Sequence, residues 1–186
     1  MVGIGALWLP ILLSAVFVFI VSSIMHMVLK YHASDYRQLP NEEAVRAALR
    51  SGNPAPGQYV TPYVPDMKDM EKPEVKQKYI EGPVGVLFIR PSGPVNMGPF
   101  LVQWFVFALV VSLFVAYVAG VSLGAGTPYL TVFRVAGAAA FMAYALGQLP
   151  AAIWMGKPWS VAGKEVFDGL VYGLVTAGTF GWLWPS

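Results

Sequence analysis

Residues 91–133 read PSGPVNMGPFLVQWFVFALVVSLFVAYVAGVSLGAGTPYLTVF, and this stretch contains no Asp, Glu, Lys or Arg. A second uncharged run extends from Met1 to Leu29. An α-helix needs about 20 predominantly apolar residues to cross a bilayer, so each run is long enough to hold at least one crossing. The sequence therefore predicts an α-helical integral membrane protein.

The amino-acid composition supports the same class. Only 12% of the residues are charged, whereas a typical soluble domain has about 25%. The formal net charge of +2 gives no electrostatic basis for binding nucleic acid. The chain has no cysteine, which excludes thiolate catalysis and cysteine metal sites.

Four transmembrane helices are predicted. The first occupies residues 1–30, with Trp8 at one membrane interface and Lys30 at the other. The remaining three form a membrane bundle within residues 99–186. Their connections are only a few residues long, which predicts that they pack as antiparallel neighbours. The expected bounds of these three helices are about 100–123, 129–154 and 165–184.

Residues 31–98 are predicted to form a small soluble insert, α+β or irregular, between helices 1 and 2. Eight of the ten acidic residues lie in this segment. Its pattern favours helices at 41–50, with Asn41 as the N-cap, and at 73–79, and strands at 58–61 and 84–90. So short a segment buries little apolar area, and we expect it to depend on the membrane helices or on a partner.

The distribution of basic residues predicts the orientation of the chain. Eleven of the twelve lie on the insert side of the predicted spans, and Arg134 alone lies towards the opposite ends. By the positive-inside rule, the insert is predicted to be cytoplasmic and both termini to lie outside a plasma or inner membrane.

Arg134 lies inside the third predicted span, where an ionisable group is a functional hypothesis by default. In the predicted topology every acidic side chain is on the other side of the membrane. Two interpretations stay open: Arg134 extends to a lipid phosphate, or it pairs with a partner subunit or an anionic substrate. The other candidate lipid or partner contacts are Lys157, Lys164, Trp8, Trp182 and Trp184.

Glu165 and Asp168 open the fourth predicted span. Carboxylates in a first helical turn suit the helix dipole, and Asp168 is four residues from Lys164. The alternative is a pair that handles protons or cations, because the two carboxylates share a helical face. The candidate polar or transport residues are His26, Gln103, Gln148, Glu165 and Asp168.

The two histidines, His26 and His32, are six residues apart. On one continuous helix this spacing places them on different faces, which argues against a shared metal. No phosphate-binding loop and no nucleophile–base constellation is found. The sequence therefore predicts no catalytic residue, no metal and no cofactor.

Small residues recur at a spacing of four in the third and fourth predicted spans. Such rows allow helix backbones to approach closely in a membrane. They predict packing between these two spans, with a face for a second copy as a further use. The predicted packing residues are Gly169, Gly173, Ala177, Ala136, Ala140 and Gly147.

These features favour a non-catalytic multi-pass membrane protein that is a subunit, assembly factor or scaffold of a membrane complex. Its expected partners are lipids and another membrane protein or a second copy. A transporter of small solutes, ions or protons is the alternative, and it requires the polar candidates to face one water-accessible interior. A lipid-acting membrane enzyme is third, and it requires His26 or His32 within hydrogen-bond reach of Asp35 or Asp168 in a cleft.

Overall fold

The computed structural model describes residues 1–186 and divides them into two compact units. The first unit contains residues 1–36, 96–152 and 157–186, and the second contains residues 37–95 and 153–156. In chain order the elements are α1 (Trp8–Ser23), α2 (Glu42–Gly52), β1 (Gly57–Thr61), α3 (Pro73–Glu81), β2 (Gly85–Ile89), α4 (Gly98–Ser122), α5 (Tyr129–Tyr144), α6 (Leu149–Trp154) and α7 (Trp159–Trp182).

Three helical segments are long and apolar enough to cross a membrane: Ile4–Val28, Gly98–Ser122 and Tyr129–Trp154. They coincide with the first three predicted spans. The fourth predicted span corresponds to α7, which is 24 residues long but is not among these segments. Its first turns carry Lys164 and Glu165, and it is rich in glycine and threonine.

The third predicted span is not one regular helix. α5 ends at Tyr144, a 3-10 turn covers Leu146–Gln148, and α6 then begins at Leu149. Pro150 explains the interruption, because its ring has no N–H to donate to the carbonyl four residues earlier and clashes with it. The predicted packing residue Gly147 lies in this 3-10 turn, where an added Cβ atom would meet nothing within 4 Å, so it makes no close helix contact.

The core of the first unit lies between α1, α4, α5 and α7, and the most extensive contact joins α5 to α7. Ala136, Ala140 and Ala177 are fully buried there. A Cβ atom on Gly169 would lie 2.6 Å from Cα of Ala145, and one on Gly173 would lie 3.3 Å from the backbone N of Phe141. The two helices therefore approach at distances that only small residues permit.

The second unit contains α2, α3 and a two-stranded antiparallel sheet. β1 pairs with β2 so that Gly57 lies opposite Ile89 and Thr61 opposite Gly85. Asn41 precedes α2 as expected, but its backbone is left-handed (φ 53°) and its side chain makes no capping hydrogen bond. No residue between 37 and 95 is buried, as expected of a segment too short to enclose a core.

Candidate functional site

A chain reversal at the end of the first apolar helical segment, Ile4–Val28, creates the candidate site. After α1 the helix widens into a π turn, Ile24–Val28, in which the N–H of Leu29 donates to the carbonyl of Ile24 at 3.1 Å. Lys30 then adopts a left-handed backbone (φ 52°), which is uncommon for a residue with a side chain. A 3-10 turn, Tyr31–Ser34, follows it. The chain thus folds back upon the end of its own helix.

This reversal brings His32 onto His26. The two imidazole rings stack with their centroids 4.5 Å apart and their planes 10° from parallel. The prediction that the two histidines lie on different faces is therefore wrong. It assumed one continuous helix, whereas regular helical geometry ends before Lys30, so a spacing rule for helices does not apply to His32.

Asp168 of α7 is the centre of the cluster. His32 Nε2 lies 2.8 Å from Asp168 Oδ2, and His26 Nε2 lies 3.7 Å from the same oxygen. The hydroxyl of Tyr31 donates a hydrogen bond to Asp168 Oδ1. Three groups from the first apolar segment and the turn after it therefore converge on one carboxylate of the last helix.

Asp35 contacts the second ring nitrogen of His32. Its Oδ2 lies 2.6 Å from His32 Nδ1, and its Oδ1 lies 2.5 Å from Lys164 Nζ. The hydrogen bonds from Lys164 and then from His32 lower the pKa of the Asp35 carboxyl below its ordinary value. Asp35 is therefore an ionised carboxylate that accepts from both neighbours.

The cluster is largely hidden from solvent. The side chains of Asp168 and Asp35 keep 5% and 6% of their full exposure, and that of His32 keeps 15%. His26 differs, because its side chain is 50% exposed. A cavity of about 260 Å³ reaches His26 and is lined mainly by apolar groups from the ends of α1 and α4, including Met27, Leu101 and Trp104. The cluster therefore has one accessible edge.

Glu165 belongs to a different interaction. Both of its carboxylate oxygens lie 2.5 Å from Nζ of Lys157, and both side chains are about a quarter exposed. The expected pair of Lys164 with Asp168 does not form, because Lys164 reaches Asp35, Ser34 Oγ and the Tyr31 carbonyl. Glu165 and Asp168 therefore interact with separate partners.

The remaining polar candidates lie on the outside of the first unit. Gln103, Gln148 and Arg134 are all exposed, whereas Asp168 is buried. The five candidate transport residues therefore do not face one shared interior. Five hydroxyl groups that the sequence analysis did not single out lie buried between the helices instead. They belong to Ser14, Ser112, Tyr144, Tyr172 and Thr176.

Arg134 projects from α5 beside a shallow groove. No salt bridge in the structure involves it. The groove has a volume of about 260 Å³ and an apolar lining of small and large side chains from α5 and α7. Its lining residues are Phe133, Arg134, Gly137, Ala138, Phe141, Leu170, Gly173 and Leu174.

The aromatic candidates divide into two groups. Trp8 and Trp182 are 62% and 68% exposed, so neither ring is packed into the core of the chain. Trp184 is half-buried, and its Nε1 donates to the carbonyl of Gly124 at 2.9 Å. Its ring therefore fastens the end of the chain to the α4–α5 turn.

The sequence named a contact of His26 or His32 with Asp35 or Asp168 only as the condition for a lipid-acting enzyme. It could not establish the cluster, because His32 and Asp168 are 136 residues apart. One local signal was present: just after the uncharged run, a phenol, an imidazole and a carboxylate lie close together in sequence, on Tyr31, His32 and Asp35. Comparisons of the chain with protein-family models, with curated proteins and with solved structures give no match.

Proposed function

We propose that this chain is an integral membrane protein with four crossings. The three apolar segments support this proposal, and so does the environment of α7. Asp168, Thr176 and Thr179 of that helix are buried among the other helices, so its polar groups do not meet lipid. At 1.5 Å per residue its length is about 36 Å, enough for a bilayer core of about 30 Å.

The proposed orientation follows the positive-inside rule. Lys30, Arg90, Lys157 and Lys164 are the basic residues closest in sequence to the insert-side ends of the proposed spans. Basic residues close to spans are retained on the cytoplasmic side. Residues 31–98 are accordingly proposed to be cytoplasmic, with both termini outside a plasma or inner membrane.

We further propose that the protein is a non-catalytic subunit, assembly factor or scaffold of a membrane complex. Arg134 carries this proposal. It lies five residues after the start of α5, about 7.5 Å along the helix axis, and has no anionic partner in the chain. Insertion scales assign an arginine about 2.5–3.5 kcal/mol at the centre of a span, and Arg134, which lies nearer the end, pays part of this cost. Its position near the positive end of the helix dipole adds to that cost.

An anionic group from another molecule would compensate this cost. The groove beside Arg134 fits a partner helix that carries a carboxylate, because its apolar lining lies next to a guanidinium group that has no salt bridge within the chain. The exposed side of α4 offers a second apolar contact area, with Val106, Val110 and Phe114 all more than 40% exposed. Both surfaces are of the kind by which membrane subunits associate.

The test is retention of partners from native membranes. Tagged protein is purified with its native lipid, and the co-purifying proteins are measured for wild type and Arg134→Gln. We expect Arg134→Gln to lose most of its partner. The control Leu130→Ala, which alters an exposed side chain one turn away, retains it. Unchanged retention by Arg134→Gln means that Arg134 only reaches lipid phosphates, and the proposal is then abandoned.

A lipid-acting membrane enzyme is a second candidate, favoured by the distances from His32 to Asp35 and Asp168. A histidine held by a carboxylate is the usual form of a general base. The cavity at His26 is open to an apolar substrate. Phospholipid vesicles incubated with wild type and His32→Gln test this candidate: turnover by the wild type alone supports it, and turnover by neither removes it.

A further inference from the structure

We infer that His26, His32 and Asp168 form a binding site for a first-row transition-metal dication. Each of the three residues offers one ligand atom, and these atoms all lie within 4.8 Å of one another. Ligands of a tetrahedral ion, each about 2.0–2.2 Å from it, lie about 3.4 Å apart. The separations of 2.8 and 3.7 Å from Asp168 Oδ2 to the two imidazoles bracket that value.

The hydrogen bonds of the two imidazoles set them up as ligands. His26 Nδ1 lies 3.0 Å from the carbonyl oxygen of Ser22, and His32 Nδ1 lies 2.6 Å from the carboxylate of Asp35. Both partners accept hydrogen bonds, so each Nδ1 carries its proton. In neutral rings each Nε2 then presents a lone pair, and both Nε2 atoms are directed at Asp168.

This arrangement is the outer-shell pattern of metal-bound histidine. Such a histidine donates its second N–H to a carboxylate or a backbone carbonyl, which fixes the ring and strengthens the ligand. Tyr31, which donates to Asp168 Oδ1, fixes the carboxylate in the same way and leaves Oδ2 for the ion. Every proposed ligand is therefore oriented by a second residue.

The charges of the cluster favour a cation. With neutral imidazoles, the carboxylates of Asp35 and Asp168 outnumber the single ammonium group of Lys164. Without a metal, a neutral His32 would place its Nε2 lone pair against the Asp168 carboxylate. The competing state is a protonated His32 that donates to Asp168.

The donor set indicates the class of ion. Two imidazole nitrogens and one carboxylate oxygen suit Zn²⁺, Fe²⁺ or a neighbouring dication, whereas Ca²⁺ and Mg²⁺ prefer sites built from oxygen alone. Three protein ligands leave a coordination position open. His26 is half-exposed and borders the cavity beside Met27 and Trp104, so this position faces the accessible edge of the cluster.

Binding of Zn²⁺ to the full-length protein in detergent tests the inference. After treatment with a chelator, the metal content at equilibrium and the affinity in competition with a coloured chelator are measured. We expect one Zn²⁺ per chain. Asp168→Asn and His32→Ala are expected to lower the affinity by at least 100-fold, and Asp35→Asn by about 10–100-fold, the range for an outer-shell partner.

Two variants keep the result interpretable. His26→Ala alters a half-exposed ligand, so it leaves the fold intact by circular dichroism while weakening Zn²⁺ at least 10-fold. Glu165→Gln removes a nearby carboxylate that is not a ligand and leaves the affinity unchanged. The inference is overturned if wild type binds no stoichiometric Zn²⁺. It is also overturned if folded His26→Ala binds Zn²⁺ as tightly as wild type and the Glu165→Gln control do. In the first case the cluster is an imidazolium–carboxylate pair.

Discussion

His32 Nε2 lies 2.8 Å from Asp168 Oδ2, although 136 residues separate the two along the chain. The contact joins the turn after the first apolar segment to the last helix. It is reinforced by Lys164, which bonds Asp35 on the same turn. The first apolar segment and α7 are thus connected through polar and charged side chains and not only through apolar packing.

Removing Lys164 tests the contribution of this connection to stability. In Lys164→Met the Asp35 carboxylate stays almost fully covered but loses its cation, and an uncompensated buried charge is strongly destabilising. We expect a lower melting temperature in detergent. The control Lys157→Met breaks the more exposed pair with Glu165, and its effect should be smaller. An equal or reversed order would contradict this account of the cluster.

The close approach of α5 and α7 predicts opposite effects for two glycine substitutions on the same helix. Gly169→Ala would drive a methyl group into the backbone of Ala145, so we expect a loss of about 1–3 kcal/mol in unfolding free energy. Gly163→Ala meets open space and should gain about 0.5–1 kcal/mol from its better helix propensity. Unfolding monitored by circular dichroism measures both, and a tolerated Gly169→Ala would disprove the tight packing.

Solute flux separates the scaffold proposal from transport. Gln103, Gln148 and Arg134 lie outside the helix bundle, so we expect proteoliposomes with wild-type protein to show the same proton and ion flux as empty vesicles. Asp168→Asn is the matched comparison, because it removes the most buried carboxylate. Flux in wild type that disappears in Asp168→Asn would instead favour the transport alternative.

Topology is open to a direct measurement because the chain contains no cysteine. Single substitutions Val60→Cys, in β1, and Ala125→Cys, in the exposed α4–α5 turn, can be labelled with a membrane-impermeant maleimide in whole cells. We expect labelling of Ala125→Cys from outside and of Val60→Cys only after lysis. The reverse result would invert the proposed orientation.

The extent of the apolar helices could be predicted because lipid imposes a local compositional rule. The uncharged run after Arg90 predicted a helix that starts at about residue 100, and α4 starts two residues earlier, at Gly98. The strands around Tyr59 and Leu87 were also predictable, since β-branched and aromatic residues between prolines and glycines indicate strands. The break after Tyr144 was missed, although Pro150 marks it in the sequence.

The candidate site was beyond local rules. Its formation depends on the left-handed backbone of Lys30, and nothing about a lysine indicates that conformation. The sequence could still identify Asp168 as a candidate, because an ionisable residue near or within an apolar helix is a functional hypothesis by default.

The π turn before Lys30 has a consequence for how the cluster can vary. A π turn closes its hydrogen bond over five residues where an α turn uses four, so the first segment carries one surplus residue at Ile24–Val28. The wide turn absorbs this residue locally; wound as a regular α-helix, the same residues would swing everything beyond them by about 100° around the helix axis. His32 and Asp35 would then miss Asp168, so the alignment of the cluster depends on the backbone of the same wide turn that carries His26.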